Sequence, residues 1–372
     1  MKKQLFLLLV AILAISISST YAQLTPRPVT CLSADALHPI PGNPYTYEVN
    51  VPTPPGTKEY LWFVTQDPNF IAAGTLTTNR ETVPSSTVVA ATGTGYNDPT
   101  TGTSQLSLTW KSFAYNPANP VFVVIQVKNT SSAGDACVSQ NMKVYKIQPL
   151  NAFTLDIANQ DASQVTQAGY GTNIPRCIHD IVTSTYVPES APGAGDDGVL
   201  MDFGQDILYY EVVAANWSEA WRPSIQLTGV DPLEHVTVEF SNNAAWTTPV
   251  TMTDAGGGLY TTTATVTPAS GTFVGSAGQS IFIRVTLDHS DGVNPSYMGL
   301  TDEAITLAVD GMTVPSTGTG VGDVHTVAGG TPSTCPWVDG FANDVAVQTL
   351  KARPDIISNT GMPVLPFLPV RP

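Results

Sequence analysis

The chain reads as an all-β protein: two antiparallel immunoglobulin-like β-sandwich domains in tandem, followed by a Pro-rich C-terminal tail. Three observations predict this. Charged residues are only 12% of the 372, about half the usual share, and helical proteins need many Glu, Lys and Arg. Apolar and polar residues alternate over short runs rich in β-branched and aromatic side chains. Those runs are punctuated by 30 Gly and 30 Pro. An apolar content of 42% supplies real cores, so most of the chain is not expected to be disordered.

The first element is an export signal. Met1-Lys2-Lys3 is basic, Leu5 to Ile17 is apolar, and Tyr21-Ala22-Gln23 offers a small-residue cleavage site. This is the pattern of a secretory signal peptide over residues 1–22, cut after Ala22. The apolar run falls short of the roughly 20 residues a membrane span needs. Loss of Lys2 and Lys3 would take the formal charge from −15 to −17. Such an acidic surface argues against nucleic acid and anionic lipid as partners.

Residues 23–150 are expected to form the first sandwich. Its strand signals are Pro44–Val51, Glu59–Gln66, Ser85–Ala91, Gln105–Phe113, Val121–Lys128 and Asn141–Gln148. Pro54-Pro55-Gly56, Gly93-Thr94-Gly95 and Asn116-Pro117 mark turns between them. Residues 151–312 are expected to form the second. Its signals are Ala152–Ala158, Ile181–Tyr186, Ile207–Ala214, Arg222–Thr228, His235–Phe240, Val250–Thr253, Leu259–Thr267, Ser280–Thr286 and Ala304–Val309. Asp254 to Gly258 is a hairpin turn. Residues 313–372 read as a Gly/Thr-rich linker, one short helix over Asp339–Lys351 and an extended Pro-rich tail.

The first domain resembles the PKD-like, immunoglobulin-like modules of exported bacterial surface proteins. The residues that carry the resemblance are Tyr60-Leu61-Trp62-Phe63-Val64, Leu106-Ser107-Leu108-Thr109-Trp110, Val121 to Val127, and Cys137 before Met142 to Ile147. Thr65 to Asn69 stands where the better-known pattern has a WDFGDG-type turn. The resemblance implies a sandwich with Trp62 in its core. It also implies a role as spacer, adhesive unit or partner-binding domain.

Cys31, Cys137, Cys177 and Cys335 are the four cysteines. In an oxidising compartment an even number reads as two disulfides, and four cysteines allow three pairings. The pairing that respects domain order is Cys31–Cys137 with Cys177–Cys335. No CxxC spacing suggests zinc.

No motif announces catalysis. There is no GxSxG elbow, no HExxH and no phosphate-binding loop. None of the five histidines is singled out for a triad. Asp288, Asp291 and Asn294 place several oxygen-bearing side chains in one turn and are the candidate ligands of a structural calcium ion; no other cofactor is expected. Trp217 and Trp221 lie in a polar stretch and are the candidates for stacking on a sugar. The leading expectation is an exported, non-enzymatic protein of the cell surface or periplasm with a structural, adhesive or assembly role. Its partners would be other envelope proteins or its own copies, through the tail or an edge strand. The alternatives are a glycan-binding protein using those tryptophans, and a hydrolase with a site between the domains.

Overall fold

A computed structural model describes residues 24–132, 137–167, 170, 173–269, 273–289, 297–314, 320–326, 337–338, 340–356 and 366–368. The predicted signal peptide lies outside the described residues, as do Asp291, Asn294 and Cys335. The fold is all-β, as the composition predicts; the described residues contain no helix.

The first sandwich is built from β1 (Pro44–Glu48), β2 (Gly56–Thr65), a short β3–β4 hairpin (Ile71–Ala72, Thr75–Leu76), β5 (Val89–Thr92), β6 (Gln105–Trp110), β7 (Val121–Ser131) and β8 (Val138–Ile147). Two three-stranded sheets, β1-β6-β5 and β2-β7-β8, face each other. Alternation explains the packing. In β6 the residues Leu106, Leu108 and Trp110 point inward, and in β7 Val121, Val123 and Ile125 do the same. Trp62 is fully buried among them, as the resemblance implies. The other face of β2-β7-β8 is covered in part: Leu61, Phe63 and Val124 pack under Phe70 and Leu76 of the β3–β4 segment.

The second half begins with β9 (Thr154–Gln160), β10 (Ile174–Cys177), β11 (Thr183–Val187), β12 (Gly198–Asp202), β13 (Gln205–Ala215) and β14 (Trp221–Thr228), of which β11 and β12 form a separate small sheet with β24. It continues with β15 (His235–Ser241), β16 (Val250–Thr251), β17 (Thr253–Asp254), β18 (Leu259–Thr261), β19 (Gln279–Asp288) and β20 (Glu303–Thr313). Beyond them lie β21 (Val324–His325), β22 (Trp337–Val338), β23 (Val345–Lys351) and β24 (Phe367–Leu368). A six-stranded sheet, β10-β23-β20-β14-β18-β17, packs on a five-stranded sheet, β16-β15-β19-β13-β9. Pro223 is tolerated inside β14 because its nitrogen faces the same side as the Trp221 and Leu227 N–H groups. That side pairs at Val266 and Gly258, before and after Pro223.

The region after residue 312 differs from its predicted role. The helix expected over Asp339–Lys351 is not found among the described residues: Val345–Lys351 is a strand inside the six-stranded sheet, antiparallel to β20. Val345, Val347 and Leu350 suit a β-ladder, and Ala346 and Leu350 join the core. The expected linker carries buried Asp323, Val324 and His325. Of the tail, Phe367–Leu368 pairs in parallel with β12. The N-terminal segment also departs from its expected domain. Leu24 packs on Ala158 and Val213 of the second sandwich. The Thr30 N–H bonds to Thr326 at 3.0 Å.

The sandwiches touch. Ser112 donates its N–H to Ser218, and Lys111 lies 3.8 Å from Glu219. Gly42 has φ 81°, and a Cβ there would sit 1.8 Å from the Phe273 ring. Only glycine serves both the turn and that contact.

The expected cysteine pairing is not formed. Cys137 and Cys177 are exposed thiols, and Cys31 is the only described cysteine in a disulfide. The reason is positional. Cys31 follows the segment drawn onto the second sandwich, whereas Cys137 stands just before β8 in the first. A disulfide needs its two Cα atoms within about 7 Å, and these two cysteines belong to segments docked on different sandwiches.

Candidate functional site

Trp217 and Trp221 are both 0% exposed and meet edge to face in the centre of the second core. Neither ring can stack on a sugar in this structure. The cause is local. Asn216 adopts a left-handed conformation (φ 58°), and Trp217 then bridges Val274. The ring turns inward, where its Nε1–H reaches the Ala214 carbonyl at 3.1 Å. Asp288 bonds to Gln205 at 2.9 Å, and its two proposed co-ligands fall outside the described residues.

The residue beside it, His289, is the centre of a buried polar cluster. Strand register builds it. β19 runs between β13 and β15, with Asp288 opposite both Gln205 and His235. His289 therefore emerges between the start of β13 and the turn before β15. Its Nε2 lies 2.8 Å from Asp206, and its Nδ1 lies 2.6 Å from Glu234. The second contact is short but poorly aligned, so it acts as an ion pair rather than a hydrogen bond. Burial alone would lower the His289 pKa, but the two carboxylates outweigh it and raise it to about 9. Burial likewise acts to raise Asp206, yet His289 and the His179 N–H hold it below the ordinary carboxylate range. His289 thus stands as an imidazolium between two carboxylates.

Glu234 also faces Glu303 at the start of β20. Burial first, then the Glu234 charge, push Glu303 up to about 7. Its Oε1 accepts the Asp231 N–H at 2.6 Å. Tyr297 stands beside it, its hydroxyl pKa raised by burial and by Glu303. Glu303 and Tyr297 line a cleft of about 370 Å³ with Gly229, Asp231 and Asp302.

Both shifts have a pH consequence. His289 has a folded pKa above its unfolded value of 6.5, so its stabilisation is complete below pH 6.5 and is lost as pH rises through 9. Glu303 holds its proton to about pH 7 when folded, so ionisation also costs more in the folded state as pH rises from 4.5. The two act in one direction. In metal-free buffer the melting temperature should fall by roughly 5 °C between pH 6 and pH 9. An unchanged or higher value at pH 9 would contradict the cluster as described.

A second cluster lies where the N-terminal segment docks. Asp156, His325 and Asp344 are buried, with ligating atoms within 4.8 Å of one another. Arg27 fills this site. Its Nε pairs with Asp156, its N–H bonds to Asp156 at 2.6 Å, and Nη2 lies 3.4 Å from Asp344. Tyr170 packs against the guanidinium at 4.3 Å, and His325 lies 3.0 Å from both Asp344 oxygens. Burial pushes the Asp156 pKa up against the pull of Arg27. Here the guanidinium supplies the positive charge that a metal would supply elsewhere.

The third feature is a sheet edge. β8 is the terminal strand of β2-β7-β8, ten residues long, with Val138 62% and Val144 38% exposed. Four of the eight lysines, Lys58, Lys128, Lys143 and Lys146, lie on this sheet.

No family model matches the chain, and no curated protein matches it. Among solved structures it is similar to a protein described as membrane anchored from Corynebacterium diphtheriae. That match has a TM-score of 0.20 at 9% identity, over 83% of this chain and 55% of that one. The chain therefore matches about half of that protein. Another match is a structure of manganese lipoxygenase from Gaeumannomyces graminis with part of the zonadhesin of Komagataella pastoris. It has a TM-score of 0.14 at 11% identity, over 83% of this chain and 90% of that one. At these scores neither likeness bears on fold or function.

Proposed function

We propose that the chain is an exported, non-enzymatic protein of the cell surface or envelope. It serves a structural, adhesive or assembly role by adding a partner's strand to its own sheet. The observation that carries this reading is the β8 edge. It presents ten residues whose outward backbone groups meet no strand among the described residues. Such an edge is a template for another chain. The tail is the weaker candidate for that role, because its Phe367–Leu368 strand is already paired with β12.

Charge selects the partner. Lysines on an edge strand repel chance copies of themselves. A basic edge on a chain of net charge −15 favours an acidic incoming strand. A second copy, with 30 Asp and Glu against 15 Lys and Arg, can supply one. Light scattering across a concentration series tests this with the double variant Lys143→Glu, Lys146→Glu. Wild type should rise above monomer mass, most at low salt, and the variant should stay monomeric. A wild type that stays monomeric both alone and with envelope extract, or a variant that associates equally, would overturn the reading.

A further inference from the structure

We propose that the cleft of about 710 Å³ lined by the end of β2 and the segment after β4 is a binding site for a neutral saccharide. The proposal is independent of the β8 edge, and it does not use Trp217 or Trp221.

The chain's own hydrogen bonds fix the walls. Glu81 donates its N–H to the Val64 carbonyl at 2.8 Å, and its carbonyl accepts the Tyr96 hydroxyl at 2.7 Å. The segment after β4 is thereby tied to the first sandwich. On the β2 side, Asp67 accepts from the Asn69 N–H at 2.8 Å, from Thr77 Oγ1 at 2.7 Å and from Asn79 Nδ2 at 3.0 Å. A site set in place before binding gives up less freedom when its ligand arrives. The volume falls within the range of small-molecule sites.

Arg80 is the central group. Its guanidinium lies 5.0 Å over the fully buried Phe63 ring, and its Nε donates to the Thr77 carbonyl at 3.0 Å. Those contacts hold the group without using Nη1 or Nη2. Asp67 and Glu81 line the same cleft, yet no carboxylate pairs with Arg80 among the described residues. A planar fork held at its stem suits a pair of oxygens. Open acceptors stand in the same cleft. Glu81 gives Oε1 to Gln66 Nε2 at 3.1 Å, while Glu81 Oε2 and Gln66 Oε1 meet no donor among the described residues.

This mixture gives the ligand class. A hydroxyl both donates and accepts, so neighbouring sugar hydroxyls satisfy both kinds of group. All nine residues lining the cleft are polar, which offers nothing to an apolar side chain. Arg80 against Asp67 and Glu81 leaves one negative charge, a poor match for an anion. A metal ion is disfavoured as well, because both Asp67 oxygens already accept hydrogen bonds. No aromatic ring lines the cleft, so recognition rests on hydrogen bonds rather than stacking.

Native electrophoresis of the full chain in gels holding a soluble polysaccharide tests this. Mannan, laminarin, xylan and galactan are the neutral probes, and alginate is the acidic one. At least one neutral probe should retard the wild type. Arg80→Met keeps the stem over Phe63 but removes the fork, and Glu81→Ala removes an acceptor while leaving the backbone bonds of residue 81. Thermal unfolding checks that both variants are folded. Each should weaken the retardation by about tenfold. The proposal is overturned if no neutral probe retards the wild type, if either variant is retarded as strongly as the wild type, or if alginate alone retards it.

Discussion

Arg27→Ala should destabilise the second sandwich by about 3 kcal/mol, far more than a surface arginine is worth. The side chain is 41% exposed, yet its partners Asp156 and Asp344 are 0% exposed. Removing the guanidinium leaves two buried carboxylates, with the His325 ring against Asp344 as their remaining polar neighbour. The cost is the unpaired charge more than the lost contact. Thermal unfolding should show a drop of roughly 5–10 °C. Adding Asp156→Asn to Arg27→Ala should recover part of it, because the charge that Arg27 neutralised is then gone. Arg27→Lys should be intermediate, since an ammonium reaches one carboxylate but cannot fork between two. A loss below about 1 kcal/mol for Arg27→Ala would mean that the docked segment is an ornament of the surface.

Trp217→Ala should cost about 3–5 kcal/mol. The ring is fully buried, meets Trp221 edge to face at 6.3 Å between centroids, and anchors its Nε1–H on Ala214. Truncation leaves a cavity in the middle of the larger core, which two sheets cannot close without shifting their registers. Trp217→Phe should recover about half of the loss by refilling most of that space. Calorimetry or chemical denaturation reads the effect directly. A near-neutral Trp217→Ala would show that the ring is not in the core, and would reopen the sugar-stacking role.

These residues show what the sequence could and could not convey. Strand segments such as Val121–Lys128 and Ile207–Ala214 were legible because alternation is a local property, set by the two-residue period of a strand. Val345–Lys351 was misread as helical because short apolar runs fit either period. Its place in the six-stranded sheet comes from pairing with β20 and β10, which are distant in sequence. Trp217 was misread for another reason: its polar neighbours signal a loop, and the loop is real, but Asn216 turns the ring inward.

The cluster around His289 was half legible. The turn after Asp288 drew notice for its oxygens. Asp206, Glu234 and Glu303 come from three other segments, and only the register of β13, β15 and β19 brings the first two to His289. The Arg27 site was not legible at all. Its members are up to 317 residues apart, and no local pattern says that a segment preceding the first sandwich will dock on the second.

The role proposed for the chain stands on β8, and backbone amide exchange reads that strand most directly. Exchange should be followed strand by strand in dilute and in concentrated protein, with and without envelope extract. The account predicts that β8 amides are weakly protected when dilute and gain protection on association, while β7 is unchanged and Lys143→Glu, Lys146→Glu abolishes the gain. Protection that rises elsewhere on the surface, with β8 exchanging as fast in the associated state as in the dilute one, would contradict it.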